Sequence, residues 1–338
     1  MRALAFPDNV QIETSSHCNA SCGFCPHPQT RHTQPNGVMD DDLFESIVEQ
    51  LRPRRLELVQ PFLNNEPFTD PQIVPRLARL RRSLPGVRLA ITTNGLRLSE
   101  DDCRALAGLE LETIHVSTHA LTPAAYRETM GIDAWTVLRN VNRLRDELRR
   151  RGAATRLVVS AVLLSSNRDE VAHLHDYWRA RGLEVYVNAL NDRAGNLERP
   201  DFERLLPLGA ARRGRHLRRY DMSGCPALAA FMGILWNGDV VSCCMDWRRA
   251  RVLGNARAQT LEQIWSGAPY ARLRALSEAG RLAEEPLCRS CGENRFGVAE
   301  SDLARPQGDD GDAAVMRTLA RLRREKDVLQ MGLLREGA

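Results

Sequence analysis

The chain has 338 residues, 43% of them hydrophobic and 27% charged, the proportions of an ordinary globular protein long enough for one large domain and a smaller one. Its net charge is only +4, from 47 basic and 43 acidic residues, which excludes nucleic-acid binding by bulk charge. No apolar run approaches the roughly 18 residues of a membrane span, and the N-terminus lacks a signal-peptide core, so a cytoplasmic chain with reduced thiols is expected.

The elements follow in chain order. Val10, Ile12 and Thr14 alternate and predict a strand ending at the loop 15–25. A helix starts from an Asp40 cap, with Leu43, Phe44, Ile47, Val48 and Leu51 on one face. Strands are expected over 54–62, 87–94, 111–118, 155–164 and 183–190. Helices are expected over 71–84, over 99–109 capped by Ser99, over 123–151 with a break near Gly131, and over 168–182 ended by Gly182. Six strands alternating with helices imply a parallel sheet, either open or curled into part of a barrel. The arginine-rich runs Arg143–Arg151 and Arg212–Arg219 read as solvated helix faces, because no aromatic residues interleave with them.

The alternation stops near residue 200. Residues 199–224 read as a linker, and Asn237-Gly238 between two β-rich runs signals a hairpin. Short helices follow from about Thr260 and Pro269, then the pair Cys288-x-x-Cys291. The tail from Asp309 to Ala338 is an amphipathic helix with Met316, Leu319, Leu322 and Leu329 on one side. The expected division is 1–205, 206–300 and 301–338.

Nine cysteines in a reducing compartment point to metal or catalysis rather than disulfides. Cys18, Cys22 and Cys25 crowd into CNASCGFC on the loop leaving the first strand. Structural zinc wants four ligands, whereas three thiolates can hold three irons of a [4Fe–4S] cube and leave the fourth iron open to a small molecule. Zinc and a chance group of buried thiols are the alternatives. A second set, Cys225, Cys243, Cys288 and Cys291, has four thiols and suits either zinc or a fully ligated iron–sulfur cluster.

CNASCGFC resembles the signature loop of the radical S-adenosylmethionine (SAM) superfamily, with Cys18, Cys22 and Cys25 as cluster ligands and Phe24 against the SAM adenine. The resemblance implies a partial (βα)6 TIM-like barrel. It places Asn64-Asn65-Glu66-Pro67 where the family has Gly-Gly-Glu-Pro, a loop that binds the SAM amino group through backbone carbonyls. It also assigns Asn94, in Thr93-Asn94-Gly95, and Ser117 to SAM contacts, although both also read as local caps or turns. The stretch from Cys225 to Cys291 is similar to the SPASM/Twitch auxiliary-cluster domains in their short form, a β-hairpin plus helix. Two [4Fe–4S] clusters, SAM and an external flavodoxin- or ferredoxin-like one-electron reductant are therefore implied, without nucleic acid or membrane.

Cys103 reads as a helix-surface or half-buried thiol. Cys244 directly follows Cys243, and on a strand the two would point to opposite faces. It is a small structural hydrophobe, a substitute ligand or a hydrogen-atom donor. Asp246 and Arg193 are either substrate-pocket groups or a surface ion pair. His119 is either a base or a hydrogen-bonded barrel histidine.

The family resemblance implies reductive cleavage of SAM to a 5′-deoxyadenosyl radical that takes hydrogen from a substrate C–H. Two-electron oxidation of a carbinol on a small sugar-, aminocyclitol- or nucleoside-like natural-product intermediate is the expected outcome, because a four-thiol cluster suits an electron acceptor. Epimerisation with Cys244 as donor and modification of a peptide are the alternatives. Cys18 stands too early for a leader-binding domain ahead of the barrel, which favours a small polar substrate. An iron–sulfur electron carrier or a zinc-binding interaction protein is the non-enzymatic alternative.

Overall fold

The computed structural model of the chain describes residues 3–167, 170–197, 205, 225–289 and 291. The expected tail helix, and the expected linker apart from Leu205, lie outside the described residues.

The first six strands are β1 (Asn9–Ile12), β2 (Leu58–Gln60), β3 (Arg88–Thr93), β4 (Thr113–Ser117), β5 (Arg156–Leu163) and β6 (Glu184–Ala189). The helices among them are α1 (His27–Thr30), α2 (Asp41–Leu51), α3 (Ile73–Ser83), α4 (Glu100–Leu106), α5 (Pro123–Met130), α6 (Ala134–Arg151) and α7 (Val171–Arg179). Then come α8 (Pro226–Ala230), β7 (Phe231–Ile234), β8 (Asp239–Val241), β9 (Val252–Asn255), α9 (Leu261–Ser266), α10 (Ala268–Glu278) and α11 (Pro286–Arg289). The strands form one sheet in the order β6-β5-β4-β3-β2-β1-β7-β8-β9. All pairs from β6 to β7 are parallel, and β7-β8-β9 is antiparallel.

Local signals set the helix ends. Ser99 and Asp102 form a reciprocal capping box on α4. Asp40 and Asp133 accept first-turn N–H groups of α2 and α6. Gly131, at φ +68°, ends α5 and separates it from α6, as glycine does at a left-handed cap.

The sheet has two unlike faces. Val10, Ile12, Val59, Leu89, Ile91, Ile114, Val116, Val159 and Ala161 join the helices in one apolar core. The alternate positions are polar: Gln11 donates to Gln60 at 2.6 Å, and the His115 and Tyr186 rings lie 6.5 Å apart. β4 and β6 are two strand spacings apart, nearly 10 Å in a flat sheet. The two rings reach toward each other across β5 on this polar side, the interior of a partial (βα)6 barrel.

The hairpin signalled by Asn237-Gly238 is present and extends the barrel sheet: β7 lies parallel to β1, with Asn9 opposite Phe231 and Ile12 opposite Ile234. Its turn is a three-residue loop, with the Gly238 N–H bonded to Leu235 O and Gly238 at φ +93°, while Asn237 keeps negative φ, so Asn-Gly forms the bulged hairpin turn. Two features differ from the sequence reading. β9 and α8 add to the hairpin-plus-helix plan, being too short for a periodic signal. Cys103 is fully buried in the core rather than at the helix surface. It shares a face with Leu106, three residues on, while its polar neighbours in sequence fall on other faces of α4.

A buried ion pair ties α3 to the start of α2 and to the segment between β2 and α3. Arg76 on α3 donates to Asp70 at 3.0 Å, to Asp41 at 2.8 Å and to the Met39 carbonyl. Asp70 is fully buried and Asp41 largely exposed. Removing the guanidinium strands the Asp70 carboxylate, so Arg76→Ala should cost about 3–5 kcal/mol in urea unfolding. Asp41→Asn should cost under about 1 kcal/mol. Equal effects would show that the Asp70 pair is not the anchor.

Candidate functional site

The strands β1 to β4 run parallel, so the loops after them gather at one end of the barrel, where such sheets place their sites. The loop after β1 holds Cys18, Cys22 and Cys25, all half-buried. The Cys25 N–H closes a turn on the Cys22 carbonyl at 3.1 Å. Backbone N–H groups of Ala20 and His27 donate to the sulfurs of Cys18 and Cys25. Burial pushes the Cys18 thiol up to about 12, and the Cys22 thiol feels both Cys18 and Cys25. The three thiols do not converge on a single metal-ion position, and no other such group does among the described residues, but they bear on one another as anions and form a donor set that a larger cationic iron cluster would stabilise. The residues present therefore fit such a group.

Glu66 lies between this loop and the strands. It is buried, and burial pushes its carboxyl up to about 7. Oε1 accepts from Phe68 N–H at 3.1 Å and Thr93 Oγ1 at 2.7 Å, and Oε2 from Asn94 N–H at 2.6 Å. Its own N–H donates to His17 O at 3.0 Å, and Asn94 Nδ2 donates to Asn19 at 2.7 Å. Neither Asn64 nor Asn65 has positive φ, so asparagines replace the glycine pair without left-handed strain. Buried polar atoms without partners, Thr14 Oγ1, Asn65 Nδ2 and Thr118 Oγ1, remain after β1, β2 and β4. They suit a polar cofactor such as SAM at these strand ends. Ser117 is the last residue of β4, one position before Thr118.

Phe24 is buried against Val162, Leu164 and Leu205, with its ring edge-on to His119 at 4.7 Å. His119 Nδ1 accepts the Val162 N–H at 2.9 Å, so the ring proton sits on Nε2. Burial pushes the imidazole down to about 3. In this arrangement His119 offers a donor rather than a lone pair, the reverse of what a base needs. Arg193, in a left-handed turn at φ +53°, bears electrostatically on both Cys25 and His119. It is half-buried in the loop after β6.

The second thiol set assembles from distant segments. Cys225 precedes α8, with its N–H on Ser277 Oγ at 2.9 Å. Cys243 and Cys288 both sense Cys225, Cys288 senses Cys291, and the Cys291 N–H bonds the Cys288 carbonyl at 3.2 Å. Cys243 and Cys244 are not on a strand: β8 ends at Val241, and the two lie in the following turn, where their thiols hydrogen-bond. The opposite-faces argument therefore does not apply. The Met245 N–H also reaches Cys243 Sγ at 3.3 Å. Cys244 packs beside Leu63, Phe231, Leu235 and Val241. The Asn196 amide donates to Arg193 O and, at 3.0 Å, to Met245 O, tying the loop after β6 to this turn.

Asp246 is buried with its carboxylate on the N–H groups of Ala250 and Arg251, a turn-forming role. Sequence reasoning missed Glu13, which is buried and pushed up to about 7 by burial, and Arg249, whose guanidinium meets it at 3.3 Å. Glu13 could have been found from its place in the alternation that follows Gln11. Nothing local marks Arg249.

These features agree with comparisons to known proteins. A profile of the radical SAM superfamily matches residues 12–178, and the SPASM profile, an iron–sulfur cluster-binding domain, matches 225–292. The S-adenosyl-L-methionine-dependent 2-deoxy-scyllo-inosamine dehydrogenase of Niallia circulans is 21% identical over 284 residues, 83% of this chain and 91% of that protein. A probable GTP 3′,8-cyclase of Thermococcus kodakarensis is 28% identical over 127 residues, 37% of this chain and 39% of that one. Among solved structures, BtrN in complex with AdoMet and 2-DOIA has TM-score 0.56 at 20% identity, covering 86% of this chain and 94% of that one. Streptococcus suis SuiB bound to precursor peptide SuiA has TM-score 0.64 at 18% identity, covering 91% and 76%. Such identities establish the shared fold, and the two profiles establish membership and, with it, SAM and iron–sulfur clusters as cofactors. The chain belongs to the radical SAM superfamily, with a radical SAM domain followed by a SPASM iron–sulfur cluster-binding domain.

Proposed function

We propose that this radical SAM enzyme oxidises a carbinol carbon of a small polar substrate, in the manner of the aminocyclitol dehydrogenase it resembles. Bound SAM and its cluster supply hydrogen-atom abstraction from an unactivated C–H bond. Cys18, Cys22 and Cys25 are the cluster ligands in this reading, and Asn64, Asn65, Glu66, Asn94, Ser117 and Phe24 shape the SAM site. Glu66 acts indirectly, holding the loops in place. Arg193 orients the substrate at the barrel mouth, and His119 is a neutral donor there.

One observation carries the choice of oxidation. Cys225, Cys243, Cys288 and Cys291 form one electrostatically linked set, and its Cys243 turn is hydrogen-bonded through Asn196 to the Arg193 loop. Four thiols suit a cluster with no open iron, an acceptor for the second electron. Epimerisation is the second reading, favoured by the packing of Cys244 beside Leu63 and the strand face of Phe231 and Val241. A thiol there would return a hydrogen atom to the substrate. Reduction of the cofactor by a flavodoxin- or ferredoxin-like donor belongs to either reading.

Anaerobically reconstituted protein should hold about eight irons per chain, falling to about four when Cys18, Cys22 and Cys25 are all changed to Ala. Zinc alone, or no SAM cleavage under reductant, would overturn the enzyme reading. Turnover of 2-deoxy-scyllo-inosamine in D2O separates the two fates. A carbonyl product without carbon-bound deuterium, unchanged by Cys244→Ala, is expected for oxidation. Deuterium at the reacting carbon that vanishes in Cys244→Ala would replace it with epimerisation. Turnover of a peptide alone would overturn the small-substrate assignment.

A further inference from the structure

The radical SAM and SPASM segments meet at a buried ion pair. Glu13, the residue after β1, is 2% exposed. Its N–H donates to the carbonyl of Ile234, the last residue of β7, at 2.7 Å. Its carboxylate accepts from three separate places. These are the Asn64 N–H in the loop after β2, the Trp236 N–H in the hairpin turn, and Arg249, whose guanidinium meets Oε1 at 3.3 Å. Glu13 and Asn64 lie within the radical SAM match, and Trp236 and Arg249 within the SPASM match.

Arg249 makes this contact from an unfavourable backbone position. Its φ is +50°, in the left-handed region, where a side chain crowds its own carbonyl. A glycine would relieve the crowding and lose the guanidinium, which donates to the Pro35 carbonyl at 3.3 Å as well as to Glu13. Asp246 frames the residue: its carboxylate accepts Ala250 N–H at 2.8 Å and Arg251 N–H at 3.0 Å, and its carbonyl accepts Arg249 N–H at 3.2 Å. Gln34 adds a second tie between the segments, donating to the Trp247 carbonyl at 3.2 Å.

The far end of this chain of contacts is the loop 64–66. Glu13 holds it at the Asn64 N–H, and the His17 carbonyl holds it at the Glu66 N–H, 3.0 Å away. Without Arg249 the buried Glu13 carboxylate loses its cation. A stranded buried charge is relieved by moving toward water or by taking up a proton, and either change loosens its grip on the Asn64 N–H.

We propose that Arg249, in the SPASM segment, is a positioning residue for SAM: through Glu13 it holds the loop 64–66 in the form that binds the cofactor. The inference rests on the reading that Asn64 and Asn65 shape the SAM site. It makes affinity for SAM a joint property of the two domains, set by a side chain that does not touch the cofactor.

Equilibrium binding of SAM to anaerobically reconstituted full-length protein tests this without turnover. Arg249→Met should raise the SAM Kd about tenfold, within the coupling range of residues in contact. Arg251 springs from the same turn but pairs with Glu285 at 2.6 Å. Arg251→Met should therefore leave the Kd within about twofold of wild type, as an independent site does. Glu13→Gln/Arg249→Met should bind SAM no more weakly than Arg249→Met, because the two changes remove one contact. Unchanged binding in Arg249→Met, or an equal loss in Arg251→Met, would overturn the proposal. A double variant weaker than Arg249→Met would overturn it too. Where Arg249→Met fails to hold its irons, the double variant, which strands no charge, decides by the same comparison with wild type and Arg251→Met. Wild-type protein that binds no SAM would overturn the proposed function as well, whereas SAM bound equally by wild type and Arg249→Met overturns this inference alone.

Discussion

Everything at the barrel mouth depends on one buried carboxylate. Glu66 sits where the ends of β1, β2 and β3 come closest, and it satisfies donors from two of them while its own N–H reaches the loop after the first. All three donors favour the ionised form, whereas burial favours the neutral one, and burial is the larger influence. The cost of holding an acid there is offset in part by the three hydrogen bonds it accepts, from Phe68, Thr93 and Asn94. The result is a rigid platform, with Asn94 passing the restraint on to Asn19 beside Cys18. A loop with three cysteines becomes a site only when its sulfurs are held in one place, and Glu66 supplies that hold.

The second constraint is the continuity of the sheet. Because β7 pairs with β1 and β8 with β7, the strand that leads to the Cys243 turn lies in the same sheet as the strand that leads to the cysteine loop, two places along from it. The cysteine loop and the Cys243 turn, more than 200 residues apart in sequence, are thereby attached to one continuous sheet. Asn196 closes the arrangement from the far edge by joining the loop after β6 to the same turn.

Much of the fold was legible because its signals are local. Ser99, Asp40 and Gly131 act within one helical turn of themselves. The strand alternation also placed the six parallel strands, since a period of two reports burial of one face. The errors arose where a local rule was applied outside its element. Cys243 and Cys244 were read with strand geometry but sit in a turn, so adjacent thiols meet instead of diverging. Cys103 was read from its polar neighbours, when its helical neighbour Leu106 was the informative one. Asp246 reads as either a pocket group or half of a surface ion pair, and its oxygens accept from two N–H groups of its own turn, a pairing that no spacing reveals.

By itself the sequence determined the two cysteine patterns, the parallel α/β array and the family they imply, because spacing and periodicity survive without knowledge of contacts. Only the tertiary structure decided which polar groups meet. The proton position on His119 depends on the Val162 N–H, and that on His27 on the Ser16 carbonyl. The buried Glu13 carboxylate depends on finding Arg249, a partner 236 residues away. Such pairings leave no local mark in a sequence, since their energy comes from burial and from a matching donor or acceptor that the fold alone delivers.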